Sequence, residues 1–161
     1  RGPFVDRIKA LDWDTTFFLM GVFVLVGSLT LTGWTDRIAD WFAGLIGANV
    51  LFGYVLLILV SIMISAFVDN VPFLAAMLPV VIKMADRMGT DPVVLLFGLL
   101  LGASIGGNVT PIGASANIVT IGILRREGYP VKFRGFMAIG LPFTIISVMA
   151  AALFTWLIWR P

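Results

Sequence analysis

The sequence predicts an all-α integral membrane protein, and three observations lead to this fold class. The chain has 161 residues, of which 60% are hydrophobic and only 12% are charged, whereas an average soluble domain is about one-quarter charged. Its mean hydropathy is +1.04. Several apolar runs exceed the roughly 18 residues that a helix needs to cross a hydrocarbon core of about 30 Å. We therefore expect a protein embedded in the lipid bilayer.

Composition also limits the chemistry that the chain can perform. Cysteine and histidine are absent, which removes disulfides, thiolate nucleophiles and the commonest base and metal ligand. A net charge of +2 is too small to suggest a nucleic-acid partner. We expect no enzyme activity, because no nucleophile–base pair is present, and no resident cofactor. The chain starts at Arg1 instead of Met, and we expect it to be a piece of a longer protein.

The first third of the chain predicts one membrane span between two interfacial helices. Residues 1–14 mix charged and apolar residues at a nearly helical spacing, which is typical of a helix at the membrane surface. Residues 15–32 form an apolar span between Trp13 and Trp34, two side chains suited to headgroup depth. Residues 34–47 predict a second interfacial helix with charges on one face and apolar residues on the other, namely Trp34, Ile38, Trp41, Phe42 and Leu45.

Residues 50–88 predict a re-entrant helical hairpin. The apolar run 50–82 contains one charge, Asp69, and as a single helix it would be about 50 Å long, well beyond the hydrocarbon core. Pro72 disfavours helix in the residue before it and suits the first turn of a new helix, which Asp69 or Asn70 can cap. We therefore place the tip of the hairpin near Asp69.

Residues 92–126 predict a transmembrane helix that is broken in its middle. No charge occurs between Pro92 and Leu124, yet residues 106–117 read GGNVTPIGASAN. Unpaired backbone groups cost several kcal/mol each in hydrocarbon, so irregular backbone persists at bilayer depth only where protein or a polar cavity surrounds it. Freed carbonyls suit a cation and helix N-termini suit an anion, as in the discontinuous helices of secondary transporters.

The last span, residues 135–159, follows a basic loop, and the positive charges predict the orientation. One side of the predicted layout carries Arg1, Arg7, Lys9, Arg125, Arg126, Lys132 and Arg134, and the other carries Arg37, Lys83, Arg87 and Arg160. The side richer in Lys and Arg faces the cytoplasm. We therefore expect a plasma (inner) membrane protein with the Arg125–Arg134 loop in the cytoplasm and a hairpin that opens from outside.

Asp69 is the leading candidate for ion binding. An acid at mid-membrane depth costs about 2.5 to 3.5 kcal/mol on insertion scales, and the default interpretation is a proton or cation carrier. The alternative is that Asp69 only caps a helix in water. We predict Asp69, Asn70 and Asn108 as ligands of a transported Na⁺.

The other candidate residues supply neutral oxygens or close backbone approach. The full predicted ion- or substrate-binding set is Ser65, Asp69, Asn70, Gly107, Asn108, Thr110, Gly113, Ser115 and Asn117. The predicted helix-breaking residues are Pro72, Gly106 and Pro111. For the two motif asparagines the structural alternative is hydrogen bonding between helices, and for the glycines it is tight packing.

Two stretches of the chain resemble a known family. SAFVDNVPFLAAMLPVV (residues 65–81) and GASIGGNVTPIGASANIVTIGILRREGYPVKF (residues 102–133) resemble the C-terminal halves of the ion transporter superfamily. That superfamily holds arsenite permeases, NhaD-type sodium/proton antiporters, the P protein group and, more distantly, dicarboxylate/sodium symporters. The resemblance implies two inverted repeats in a complete protomer, of which this chain is the second. It also implies a homodimer and an N-terminal repeat on the same or a separate chain.

The resemblance extends the predicted fold class and gives a function. The implied fold is one inverted repeat with interfacial helices, a re-entrant hairpin, a broken transmembrane helix and two intact spans. The tip sequence Val68-Asp69-Asn70 is most similar to the NhaD and P protein side, so we expect a secondary transporter, a cation (Na⁺)/proton antiporter with Na⁺ or H⁺ as coupling ion. The alternatives are an anion carrier for arsenite or dicarboxylate, and a non-transporting interaction or dimerisation half.

Overall fold

The computed structural model describes residues 13–160, which form seven helices and no strand. In chain order these are α1 (Trp13–Leu31), α2 (Trp34–Ile46), α3 (Val50–Ser65), α4 (Asn70–Met88), α5 (Val93–Gly106), α6 (Ser115–Arg126) and α7 (Phe133–Trp159). The predicted all-α class is confirmed. Residues 1–12 of the predicted interfacial segment 1–14 lie outside the described residues.

Both helix breaks that the sequence predicts are present. The first lies between Ser65 and Asn70, and the second lies between Gly106 and Ser115. Pro72 falls in the first turn of α4, where a residue without an N–H costs nothing because the N–H groups of that turn have no intrahelical acceptor. Gly106 ends α5, and Pro111 lies inside the second break. The re-entrant path of the α3–α4 hairpin stays a prediction.

Among the described helices, α7 is the one that is long and apolar enough to cross a membrane unaided. Thr16–Leu31 and Trp34–Ile46 meet the same standard only as a pair, and the pair is bent by 70°. Gly33 lies at this bend with a φ of 76°, a left-handed conformation that glycine adopts without strain. The apolar helices α3 and α5 have 16 and 14 residues, or about 24 and 21 Å, so each break leaves a helix shorter than the hydrocarbon core.

The central helix is α5, which packs against α3, α4 and α7. Its closest neighbour is α3, because Gly98, Gly102 and Gly106 recur every four residues on the face toward α3. A Cβ atom added at Gly102 would lie 2.6 Å from the Ile58 carbonyl oxygen. Small residues at such spacing let two helix backbones approach closely in a membrane protein.

The amphipathic helix α2 lies along α4 and is held there by its buried face and by ion pairs. Its buried residues are Thr35, Ala39, Phe42 and Ile46, while Trp34 and Trp41 are 52% and 63% exposed. The buried face is therefore rotated from the predicted one: Phe42 is buried as predicted, whereas Thr35 and Ala39 are buried where Trp34 and Trp41 were expected. Lys83 of α4 lies 2.6 Å from Asp36, and Arg87 pairs with both Asp36 and Asp40.

Candidate functional site

Four helix ends meet at the two breaks. Ser65, the last residue of α3, has its Oγ 2.5 Å from the Ala103 carbonyl of α5 and 2.6 Å from Oδ1 of Asn70, the first residue of α4. Ser115, the first residue of α6, donates to the Asp69 carboxylate just before α4. C-terminal helix ends carry partial negative charge and N-terminal ends carry partial positive charge. We call this region, residues 65–70 and 106–117, the helix junction.

The Ser65 hydroxyl is fully buried and fixes the centre of the helix junction. It carries one proton and has two acceptors in reach, so it donates to the Ala103 carbonyl or to Asn70 Oδ1 at any one time. A Cβ atom at Gly107 would lie 3.2 Å from Asn70 Oδ1. Ser65 therefore holds the Asn70 amide directly over the Gly107 backbone.

Asp69 connects the N-termini of two helices. One carboxylate oxygen accepts from the Val71 backbone N–H at 3.5 Å, which makes Asp69 the N-cap of α4, and the other accepts from the Ser115 hydroxyl. Asp69 therefore does cap a helix, which the sequence analysis gave as the alternative to ion binding. The same side chain also contacts α6 through Ser115. Residues 13–160 contain no group of three or more Asp, Glu, His or Cys that could hold a metal. A cation here would depend on one carboxylate and neutral oxygens.

Thr110 joins the two breaks to each other. Its buried Oγ1 donates to the Ala66 carbonyl in the hairpin tip and accepts from the Ile112 N–H at 3.3 Å. Gly113 completes this contact, since a Cβ there would lie 2.6 Å from the Gly107 oxygen and 2.8 Å from the Ala66 oxygen. The unwound segment can approach the hairpin tip this closely only because position 113 has no side chain.

The motif asparagines have different surroundings. Asn117 donates from Nδ2 to the Gly107 carbonyl at 2.9 Å and to the Thr110 carbonyl at 3.2 Å, which closes the unwound segment on itself. Asn108 instead lines a cleft of about 630 Å³ together with Lys132 and Gly140, and its backbone carbonyl lies against Gly140 of α7. Asp69, Asn70 and Asn108 thus all lie in the helix junction, with the Asn108 backbone on its α7 side, and Na⁺ ligation by these residues stays a prediction.

Sequence reasoning missed several groups that shape the helix junction. The Ala66 and Ala103 carbonyls accept side-chain hydrogen bonds, and no sequence signal marks them, since every residue has a carbonyl. Thr144 of α7 donates to the Ile105 carbonyl at 3.4 Å. The four-residue spacing of Gly98 and Gly102, in contrast, is a recognisable packing pattern.

One side of the helix junction is open among the described residues. Helix α6 packs against none of the other described helices and has no buried residue. Ser115 is exposed, and Ile118, Val119 and Ile123 are 54%, 62% and 56% exposed. Because α6 packs against no other described helix, the Asp69–Ser115 contact is accessible from the α6 side.

Comparison with known proteins gives a family match over nearly the whole chain. A family model described as CitMHS, citrate transporter, matches residues 3–161. A Mycobacterium tuberculosis protein named as an uncharacterized transporter is 40% identical over 154 residues, which cover 94% of this chain and 36% of that protein. A Synechocystis protein of the same description is 34% identical over 167 residues, or 93% of this chain and 37% of the relative.

A more distant relative also matches most of this chain. The human P protein is 33% identical over 147 residues, which cover 87% of this chain and 18% of the P protein. The chain thus spans little more than a third of the mycobacterial relative's length. No solved structure matches the chain with significance.

Proposed function

The chain belongs to the CitMHS citrate transporter family, within the ion transporter superfamily, and we propose that the protein is an ion-coupled secondary transporter that binds its ion at the helix junction. The observation that carries this proposal is the meeting of two broken helices around Asp69. Broken helices that meet in this way leave backbone carbonyls and N–H groups for an ion. The Ser65, Thr110 and Asn117 hydrogen bonds support the proposal because they hold this irregular backbone in one arrangement.

The transported ions are Na⁺ and H⁺, exchanged in opposite directions at Asp69. A carboxylate that holds a proton is neutral, and the same carboxylate with Na⁺ bound is ionised, so the two ions compete for one group. An antiporter needs this competition, because neither membrane face then releases one ion without taking up the other. Neutral oxygens for Na⁺ come from Asn70 and Ser65, which contact each other at 2.6 Å beside Asp69.

An anion carrier is the second candidate, and the N-termini of α4 and α6 favour it. Both helices begin at the helix junction, where their partial positive charges would stabilise an anion such as citrate, a dicarboxylate or arsenite. The family description also names citrate. Against this candidate, Asp69 already occupies the region between the two N-termini, and a second anion there would meet its negative charge.

In this proposal a further part of the protein covers the open side of the helix junction. An N-terminal repeat, on the same or a separate chain, would cover α6 and complete the site, and two protomers would form the dimer. The Arg125–Arg134 loop would face the cytoplasm of a plasma (inner) membrane. If no such repeat exists, the chain is the non-transporting interaction half.

Full-length protein in proteoliposomes tests which candidate holds. The vesicles carry an enclosed pH dye and an imposed pH gradient, and Na⁺, Li⁺, citrate, a dicarboxylate or arsenite is added separately. We expect Na⁺ or Li⁺ to dissipate the gradient and the anions to leave it unchanged relative to protein-free vesicles. A response to citrate or arsenite alone would establish the anion carrier, and no response to any addition would establish the non-transporting half.

A further inference from the structure

Helix α7 meets the helix junction through two buried residues one turn apart, Gly140 and Thr144. A Cβ atom added at Gly140 would overlap the Asn108 carbonyl oxygen. The Thr144 hydroxyl donates to the Ile105 carbonyl at 3.4 Å. The helix that is long enough to cross a membrane unaided therefore contacts both the last turn of α5 and the unwound segment that follows it.

These two contacts fix both backbone polar groups of Asn108. Its carbonyl lies against Gly140. Its N–H donates to the Ile105 carbonyl at 3.1 Å, the same carbonyl that accepts from Thr144. Glycine at position 140 has no side chain to hold the carbonyl away from the α7 backbone. The backbone position of Asn108 is therefore set by α7.

Asn108 differs from the other polar side chains of the helix junction. The Asn108 amide has no hydrogen-bond partner among residues 13–160, although it can accept through Oδ1 and donate through Nδ2. It follows Gly107, whose backbone lies beside Asn70 Oδ1. The uncommitted amide of the helix junction thus belongs to the residue that α7 positions. The side chains that do form hydrogen bonds are those of Ser65, Asp69, Asn70, Thr110, Ser115 and Asn117.

We propose that Gly140 is a positioning residue for ion binding at the helix junction, because it fixes the backbone from which the Asn108 amide reaches the ion. This role rests on the proposed function. Ligands hold an ion well only when they stay within about 0.5 Å of the productive geometry. Alanine at position 140 would displace the Asn108 carbonyl by more than that, because non-bonded carbon and oxygen atoms stay roughly 3.3 Å apart.

Ion flux into proteoliposomes of the full-length protein, measured against ion concentration, tests this role. The ion is the one to which wild type responds, from Na⁺, Li⁺, citrate, a dicarboxylate and arsenite. We expect Gly140→Ala to raise the KM for that ion by about tenfold, the usual cost of losing a residue that orients an ion ligand, at a similar maximal rate per folded protein. A purely structural role would lower the amount of active protein and leave the KM unchanged.

The matched control on α7 is Gly135→Ala. A Cβ atom at position 135 meets nothing within 4 Å, so this variant should keep the wild-type KM. A double-mutant cycle then shows whether Gly140 acts through Asn108. Asn108→Ala should itself raise the KM, and Gly140→Ala added to it should raise the KM no further. Independent effects of the two changes would overturn the positioning role, and so would a wild-type KM in Gly140→Ala.

A second variant loosens the same contact without a clash. Thr144→Val keeps the size of the side chain and removes its hydrogen bond to the Ile105 carbonyl, so the KM should rise by about threefold, and Thr144→Ser should restore it. If Gly140→Ala does not fold, a wild-type KM in Thr144→Val overturns the role. Wild type that responds to none of the ions would contradict the proposed function together with this role, whereas a responsive wild type and an unaffected Gly140→Ala would contradict this role alone.

Discussion

Ser61 and Ser65 lie one turn apart on α3 and show how differently two buried hydroxyls can be used. Ser65 Oγ has the Ala103 carbonyl at 2.5 Å and Asn70 at 2.6 Å. Ser61 Oγ is buried with no hydrogen-bond partner among the described residues. A buried polar group without a partner costs free energy, whereas a bonded one leaves its partners unsatisfied when it is removed.

Substitution of the two serines should therefore have opposite effects. Ser65→Ala leaves a buried carbonyl unpaired and should lower the free energy of unfolding by about 1 to 3 kcal/mol. Ser61→Ala removes an unsatisfied hydroxyl and should be neutral or stabilise by up to about 1 kcal/mol. Denaturant unfolding of the full-length protein in detergent measures both. Equal losses in the two variants would contradict the assigned hydrogen bonds.

Gly113 and Gly122 form a second matched pair. A Cβ at position 113 would lie 2.6 and 2.8 Å from two backbone oxygens, whereas one at position 122 meets nothing within 4 Å. Gly113→Ala should lower stability by about 1 to 3 kcal/mol, as overpacking does, and should reduce transport. Gly122→Ala should be neutral or stabilise α6 by up to about 1 kcal/mol. Thermal unfolding and vesicle flux measure the pair, and an unaffected Gly113→Ala would exclude the close contact.

At the residue scale, the sequence identified the polar side chains of the helix junction but not their partners. Asp69, Thr110 and Ser115 stand out because each is polar within an apolar run. The Ala66 carbonyl that accepts from Thr110 has no such signal. The sequence also could not show that both Nδ2 hydrogen bonds of Asn117 go to loop carbonyls, because that depends on the path of the unwound backbone.

At the element scale, the breaks could be predicted and the packing partners could not. A break is a local consequence of proline and glycine, so its position follows from the chain itself. The ion pairs of Lys83 and Arg87 with α2 join residues far apart in sequence. The sequence assigned these two side chains only to one side of the membrane, and the structure pairs them with Asp36 and Asp40 because α2 lies along α4.

The α2–α4 ion pairs predict a pH dependence. The pKa of Asp36 lies below its usual value mainly because Lys83 donates a hydrogen bond to the carboxylate. Arg87 lowers this pKa further. A carboxyl whose pKa is lowered by folding stabilises the protein above its unfolded pKa of about 3.9, and this contribution is lost as pH falls through the folded pKa.

Thermal unfolding of the full-length protein across pH tests this dependence. Wild type should be more stable than Asp36→Asn near neutral pH, and the difference should shrink as pH falls below about 4. High salt should also shrink it, since Asp36 is exposed to solvent. The control is Asp86→Asn, because Asp86 forms no ion pair among residues 13–160. A difference that stays constant down to acid pH would contradict the ion-pair assignment.

At the scale of the whole molecule, composition predicted the all-α class and the location of the protein in a bilayer. The chain's own residues could not predict what covers α6. The exposed residues Ile118 and Val119 would suit lipid or another protein segment equally well. Because the chain covers 36% of its mycobacterial relative, its own residues do not decide between these two covers.

The orientation in the membrane is a prediction for the whole molecule. The Lys and Arg count places the Arg125–Arg134 loop in the cytoplasm and the end of α4 outside. Single cysteines at Arg126 and at Asp86 in a cysteine-free full-length protein should react differently with an impermeant thiol reagent added to intact cells. Asp86→Cys should be labelled and Arg126→Cys protected. The reverse pattern would invert the topology.

The central claim, that Asp69 carries the exchanged cation and proton, is tested most directly by comparing Asp69→Asn with Asp91→Asn. Both aspartates accept a backbone N–H at the start of a helix, since Asp91 accepts from the Val93 N–H at 2.8 Å and Asp69 accepts from the Val71 N–H. Asparagine keeps a side-chain oxygen that accepts the same hydrogen bond, so neither change should unfold the protein. Na⁺/H⁺ exchange is measured in proteoliposomes of each full-length variant. We expect exchange at the background rate in Asp69→Asn and at the wild-type rate in Asp91→Asn, whereas wild-type exchange in Asp69→Asn would reduce Asp69 to a helix cap and contradict the account.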